Sequence, residues 1–459
     1  MHARLRVVVK NMQLRREFYD FLLKWRKEKR QECLLVKGAR QIGKTYIIEQ
    51  FGREQYESCI SINFIDHPEY MEVFEHNLDA ATIKTGITVI DPAVRFPSGK
   101  TLIFLDEIQE CPAARTALKF LAMDETIDVI ASGSLLGLKY KKGRKHKPPK
   151  SIAVGYERQV EMHSLSFREY LWAKGYDEDF IGSVKGYFDR REIVPDLMNG
   201  KLHELLREYV VVGGMPSVVS KFMDSRHFGE VQREQEKLLA AYVDDIHKYA
   251  EATEIPKIVE CYRAIPRILA KENRKFKYSE VEKGSTARKY LGSVEWLLAA
   301  KMVDRAEFVE SMLPGLSAYV REDWFKLYVA DIGLLMAMYG TLVKREVLSG
   351  ALKGAMKGGI YENLISGMLV RNHLPLHYFK SDRDAIEMEF VVEQNDGVVP
   401  VEVKAKTGAT ASLDKLLKSA DIPYGYKFAG GNVGVSGKKV ALPHYMAMFV
   451  EAACWYERT

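Results

Sequence analysis

Two groups of residues in this chain have the types and the spacing for chemistry. The first is Gly38-Ala39-Arg40-Gln41-Ile42-Gly43-Lys44-Thr45, which fits GxxxxGK[ST] at every fixed position. Glycines let a backbone turn wrap phosphate oxygens with its N–H groups, and a helix beginning at the lysine adds the positive end of its dipole. All eight residues are candidates to hold ATP. Lys44 has the reach for the β- and γ-phosphates, and the Thr45 hydroxyl is a donor to Mg²⁺. Downstream, Leu102-Ile103-Phe104-Leu105-Asp106-Glu107 is an apolar run ending in two acids. Asp106 at the strand end suits the Mg²⁺ shell. Glu107 suits polarisation of a water, which points to hydrolysis rather than transfer to another substrate. Ser132, after the apolar run Ile127–Ala131, is a further catalytic candidate, a hydroxyl for the γ-phosphate or the attacking water; a plain turn is the alternative.

The second group is Glu389, Glu402 and Lys404. Glu402 follows Glu389 by thirteen positions, and Glu402-Val403-Lys404 is an E-x-K triplet in an apolar run. Alternate residues of a strand share a face, so Glu402 and Lys404 can converge. Two carboxylates and an ammonium at one point suit a divalent metal with a steadied nucleophile or phosphate. Glu362, on a helix just before, is an extra candidate ligand. The competing reading is a ladder of surface charges on an edge strand.

The elements that would carry these residues follow from periodicity. A helix is expected over about 14–29, with Phe18, Phe21, Leu22 and Trp25 on one face. Short apolar strands at 34–36, 59–64, 101–105 and 127–131, with helical stretches between, imply a parallel sheet covered on both faces. In such a sheet the carboxyl ends of the strands meet at the ligand crevice, where Gly38, Asp106 and Ser132 all fall. From about 167 to 250 the pattern is helical, broken at Gly213-Gly214-Met215-Pro216. A helix over 286–300 precedes a strand over 302–309. Beyond 358 come a helix (361–372), strands at 376–380, 387–393 and 399–404, and a helix at 412–419. Gln394-Asn395-Asp396-Gly397 between the second and third of these strands favours a hairpin.

Composition sets the class. The chain has 459 residues, 47% hydrophobic and 28% charged, with a formal net charge of +6. That is enough for about three globular domains, and the charge permits a nucleic-acid partner without requiring one. Five scattered cysteines with no CxxC pair fit a reducing compartment rather than a disulfide framework. The charged N-terminus lacks a signal-peptide core, and no run reaches the roughly 20 apolar residues of a membrane span. A cytoplasmic location and no membrane partner are the expectations.

The segments LLVKGARQIGKT, LIFLDEIQECP, ASGSLLG, HSLSFREYL and YVVVGGMPSVV occur in this order. With AAYVDDIHKY, FKLYVADIGLL, IYENLISGML and VPVEVKAK further on, the chain resembles the bacterial and archaeal AAA-type ATPases that carry a C-terminal domain of unknown function. The resemblance covers nearly the whole chain. It implies an α/β P-loop ATPase core, a helical lid, a winged-helix-like segment and a C-terminal α/β fold similar to the restriction endonucleases. The divisions expected are an N-terminal helix (1–30), the ATPase core (31–165), the lid (166–235), a helical and winged-helix-like domain (236–345) and a nuclease-like domain (346–459). Glu389, Glu402 and Lys404 then resemble the PD-(D/E)xK core, with Glu389 where Asp is usual; the longer side chain moves the carboxylate outward.

Three further features bear on partners. The tract Lys139–Lys150 holds seven lysines and arginines and no acid; it is either solvated loop or a grip on nucleic-acid phosphates. The winged-helix-like segment is a candidate contact for DNA or for a protein partner. Arg158 and Arg207 are candidates for an arginine that touches the γ-phosphate.

Overall fold

The computed structural model describes residues 13–28, 31–133, 155–405 and 410–453. The Lys139–Lys150 tract lies outside the described residues. Five strands form the first sheet: β1 (Cys33–Lys37), β2 (Ser58–Asn63), β3 (Thr101–Asp106), β4 (Ile127–Ser132) and β5 (Glu157–Glu161), in the order β2-β3-β4-β1-β5. All neighbours are parallel. Alternation sorts the apolar residues to two faces. Leu34, Val36, Leu102 and Phe104 pack with Leu22 and Trp25 of the helix Glu17–Glu28 and Ile48 and Phe51 of the helix Lys44–Gln55. Cys33, Leu35, Ile103 and Leu105 pack under the helices Ala80–Ile90 and Pro112–Ala122. This is the parallel α/β P-loop ATPase fold. β4 separates β1 from β3, so the end of β4 stands between the phosphate-loop strand and the acid-bearing strand. β5, of sequence Glu-Arg-Gln-Val-Glu, has no apolar pattern; it forms because the open edge of β1 offers it five paired positions.

Helices Phe167–Ala173, Glu178–Arg190, Asp196–Val212, Pro216–Ser225 and Phe228–Tyr249 follow. Helices Ile255–Leu269, Tyr278–Val281 and Ala287–Ala299 lead into the hairpin β6 (Val303–Val309) and β7 (Val320–Val329), then the helices Ile332–Tyr339, Thr341–Ser349 and Gly354–Arg371. β8 (His377–Ser381), β9 (Ile386–Gln394), β10 (Gly397–Val403), β11 (Gly425–Ala429), β12 (Gly434–Ser436) and β13 (Lys439–Pro443) complete an eight-stranded mixed sheet, with the helix Ala411–Leu416 between β10 and β11. β6 pairs with β8, so β6 and β7 form one end of this sheet. The sheet therefore runs across residue 346, where a domain boundary was expected. β9 and β10 form the expected hairpin, Gln394 opposite Gly397.

One buried cluster runs from Leu34 and Ile47 through Leu206 and Leu334 to Phe390 and Tyr445, so the two sheets and the helices between them share a core. Among the described residues no helix is long and apolar enough to cross a membrane.

Candidate active site

The phosphate loop is shaped by backbone that only certain residues adopt easily. Gly38 has φ +146° and Gly43 φ +88°; a Cβ on Gly38 would overlap the Met162 carbonyl oxygen. Gln41 also takes positive φ, at 62°. Lys44 opens the following helix, and its ammonium donates to the carbonyls of Gly38 (3.0 Å) and Ala39 (2.8 Å). Burial lowers its pKa to about 8, against the pull of Glu107 and Asp106. Burial disfavours the charged ammonium, and the two acids oppose that.

Asp106 is the hub. It is 3% exposed. Its Oδ2 accepts from Thr45 Oγ1 at 2.8 Å and from Asn63 Nδ2 at 3.2 Å. Its Oδ1 accepts from the Glu107 N–H at 3.0 Å and from the Ser132 hydroxyl. Thr45 and Asp106 thus stand together as hard oxygen donors, a set that fits Mg²⁺. Ser132 is fully buried. Its hydroxyl donates to Asp106 and so orients that carboxylate. Glu107 has left-handed backbone, φ 53°, which turns its carboxylate off the strand line, and the buried Gln109 side chain donates to it. Asn63 and Gln109 were missed from sequence. Asn63 ends β2 at the crevice side, which was the available signal.

Two arginines seat the loop. Arg16, 6% exposed, donates to the carbonyls of Ile42 (2.9 Å) and His163 (2.6 Å) and pairs with Glu169 at 3.0 Å. Ile42 itself is buried. Arg40 pairs with Asp245 at 2.7 Å, donates to the Tyr249 hydroxyl and lies 4.6 Å from the Tyr249 ring centroid. Arg40 therefore ties the loop to the helix Phe228–Tyr249. Behind the loop, Asp331 accepts from the Gly214 N–H and the Ser164 hydroxyl, both at 2.8 Å, and caps the helix Ile332–Tyr339 through the N–H groups of Gly333 and Leu334. Arg371, at the end of the helix Gly354–Arg371, donates to Ser164 Oγ at 2.7 Å. Neither candidate arginine is at the loop. Arg158 pairs with Glu28 and Glu32 and lies opposite Leu34, near the start of β1. Arg207 lines a groove with Tyr361 and His444.

In the second sheet, the β9–β10 register, continued by one pair beyond Val401 and Phe390, sets Glu402 opposite Glu389. Lys404 Nζ lies 2.9 Å from Glu402 and 4.0 Å from Glu389. Glu389 also accepts from the Val403 N–H at 3.1 Å. Burial, then Glu362, pushes Glu389 up to about 7. Glu402 is 2% exposed, with Oε2 buried and free of hydrogen bonds. These three side chains do not fan outward as an edge ladder would. Glu362 is committed elsewhere: it pairs with Arg274 (2.9 Å) and Lys326 (3.0 Å) and accepts from the Tyr328 hydroxyl. Those two cations and a phenol satisfy it, so it does not fit as a metal ligand. Among the described residues no three His, Cys, Asp or Glu side chains form a metal-holding group.

Residues 30–171 match the family of an AAA domain. Residues 203–345 and 357–446 match two domains of unknown function, DUF8612 and DUF4143. No curated protein matches the chain significantly. Among solved structures the chain is similar to the Walker-type ATPase PABY2304 of Pyrococcus abyssi, at 14% identity over 71% of this chain and 96% of that one, with a TM-score of 0.42. It is also similar to AMPPCP-bound DnaA of Aquifex aeolicus (13%; 62% and 88%; 0.26) and to Drosophila ORC bound to DNA (13%; 73% and 89%; 0.26). These likenesses are distant. The family match over 30–171 agrees with the loop, the strand order and the Thr45–Asp106 pair: this part of the chain has the fold of an AAA-type P-loop ATPase domain.

Proposed function

We propose that the chain is a Mg²⁺-dependent ATP hydrolase whose nucleotide state is passed to a C-terminal domain that acts on or binds DNA. The observation that carries the ATPase reading is the convergence on Asp106 of Thr45, Ser132 and Asn63 beside Glu107. The Gly38–Thr45 backbone wraps the phosphates, and Lys44 exchanges its two carbonyl partners for phosphate oxygens. Thr45 and Asp106 would hold Mg²⁺, which supplies charge neutralisation at the phosphates when bound. Glu107 accepts a proton from the attacking water, and Gln109 steadies its carboxylate. Arg40, paired with Asp245 of the helix Phe228–Tyr249, connects the loop to the rest of the chain, and Asp331 joins Ser164 to Gly214 behind it.

Glu107→Gln tests the first half. Binding of ATP should persist while turnover falls by about 10² to 10⁴, the usual contribution of a positioned base. Lys44→Ala should weaken binding itself. Unchanged turnover in Glu107→Gln removes the assignment. A second reading keeps the ATPase and makes the C-terminal fold an inert scaffold for a protein partner. It is favoured by the neutralisation of Glu362 and by the hold of Lys404 on Glu402. Metal-dependent nicking of plasmid DNA that Lys404→Ala abolishes supports the first reading. No nicking by the unmodified chain supports the second.

A further inference from the structure

Residues 274–277, outside any helix or strand, are held to β7 by the Phe276 N–H donating to the Phe325 carbonyl at 2.9 Å, and their side chains alternate in direction. Arg274 and Phe276 turn inward, to Glu362 and to the Phe325 ring. Lys275 and Lys277 turn the other way, into a pocket of about 220 Å³ lined also by Trp324, Lys326, Tyr378 and Lys380. The pocket's two acids are already matched: Glu387 lies 3.6 Å from Lys326 and 4.0 Å from Lys380, and Asp382 lies 3.2 Å from Lys380. Among the described residues neither Lys275 nor Lys277 has an ion-pair partner. Lys275 Nζ instead rests 3.2 Å from the centroid of the Trp324 ring, and Arg321 stands over the same residue at 5.0 Å. Burial, then the neighbouring Lys277 and Arg321, makes the Lys275 ammonium harder to keep charged; Asp323 opposes this and Lys380 adds to it. Like charges crowded this way lower their energy when an anion enters between them.

What anion fits follows from two things. The cations surround an indole, and a base stacks on an aromatic face while lysines hold its phosphates. One face of β7 also runs from Trp324 through Lys326 to Tyr328, and the last two hold Glu362, the carboxylate nearest in charge to Glu389. We propose that Lys275, Lys277 and Trp324 form a docking site for single-stranded nucleic acid, with a backbone phosphate between the two lysines and a base on the Trp324 ring, at the approach to the Glu389–Glu402–Lys404 cluster. The inference rests on the reading that the C-terminal domain engages DNA, and names where and in what form. Lys275 leaves the ring for the phosphate as the base takes its place. Duplex DNA offers no unstacked base and gains only the phosphate contact.

The test is fluorescence anisotropy of a short fluorescein-labelled oligodeoxythymidylate with the full chain at a series of salt concentrations. Trp324→Ala should weaken binding by about 5- to 160-fold, the range of one base–aromatic stack, and Trp324→Phe should retain most of the affinity. Lys275→Gln/Lys277→Gln should reduce the slope of log affinity against log salt by about 0.7, the value for the one phosphate the two lysines share on a single strand. If the unmodified chain binds the strand and these variants bind it with the same affinity and slope, the site is wrong while DNA engagement stands. If Trp324→Phe loses as much as Trp324→Ala, or duplex competes as well as single strand, the stacking claim fails. If the unmodified chain binds no single strand at low salt, the site falls; if it binds no duplex either, the DNA reading falls with it.

Discussion

Asp331→Ala should be among the most damaging single changes in this chain, although Asp331 touches no nucleotide-loop residue. Asp331 is 4% exposed and its two oxygens accept four hydrogen bonds. Two cap the helix Ile332–Tyr339, and loss of a cap costs about 1 kcal/mol. A third comes from the Gly214 N–H; leaving that donor buried and unpaired costs about 1–3 kcal/mol. The Ser164 hydroxyl, itself engaged by Arg371, loses a charged acceptor for roughly 1–2 kcal/mol more. The sum is about 3–6 kcal/mol. No glycine neighbour can fill in: a Cβ on Gly213 or Gly333 would collide across this junction, and one on Gly214 would strike the Leu165 carbonyl. Asp331→Asn keeps one oxygen for the helix cap but turns an amide N–H₂ toward the Gly214 N–H, so it should cost less, about 1–3 kcal/mol. Urea unfolding followed by tryptophan fluorescence reads both. With an m value of roughly 3 kcal/mol/M, the alanine variant's midpoint should fall by about 1 M or more. ATP turnover should fall with it, because Pro216 at the far side of the junction packs beside Gly43. An alanine cost below about 1 kcal/mol, or equal costs for Ala and Asn, refutes the reasoning.

Gly38→Ala should abolish nucleotide binding, measured by titration with a fluorescent ATP analogue, because its Cβ meets the Met162 carbonyl and its φ of +146° suits no L side chain. Asp304, whose pKa burial and then Glu161 push up to about 6, gives a stability signature in pH. The native state binds more protons than the unfolded chain between about pH 4 and 6, so stability falls as pH rises through that window. Asp304→Asn should therefore be more stable than the parent above pH 6, by about 1–3 kcal/mol, and the difference should vanish near pH 4; equal melting curves at pH 8 rule this out. For the C-terminal cluster, calorimetry with millimolar Mn²⁺ should show heat that Glu402→Ala removes. The binding should strengthen as pH rises through 7, where Glu389 gives up its proton.

Much of the nucleotide site was legible in sequence, because it is local. GxxxxGK[ST] encodes its own backbone: glycines at 38 and 43 take the positive φ values, and the helix begins where Lys44 stands. The apolar run before Asp106 is a strand buried at every position. The Asn395-Asp396 turn sets the β9–β10 register, which brings Glu389 across from Glu402.

What sequence alone did not reveal depends on contacts between distant segments. β5 carries no apolar alternation and exists because β1 has an open edge to pair. Ser132 has the position expected at a strand end, yet only packing turned its hydroxyl onto Asp106. Glu362 looked like a ligand by order along the chain, but Arg274, Lys326 and Tyr328 reach it from two other elements and neutralise it. Gly213-Gly214 read as a helix break; that the break must be glycine follows from Leu165 and Asp331, more than forty and more than a hundred residues away. Short-range order determines backbone shape, and so the phosphate loop. Burial and long-range hydrogen bonding determine which charges are free, and so which of the carboxylates can do chemistry.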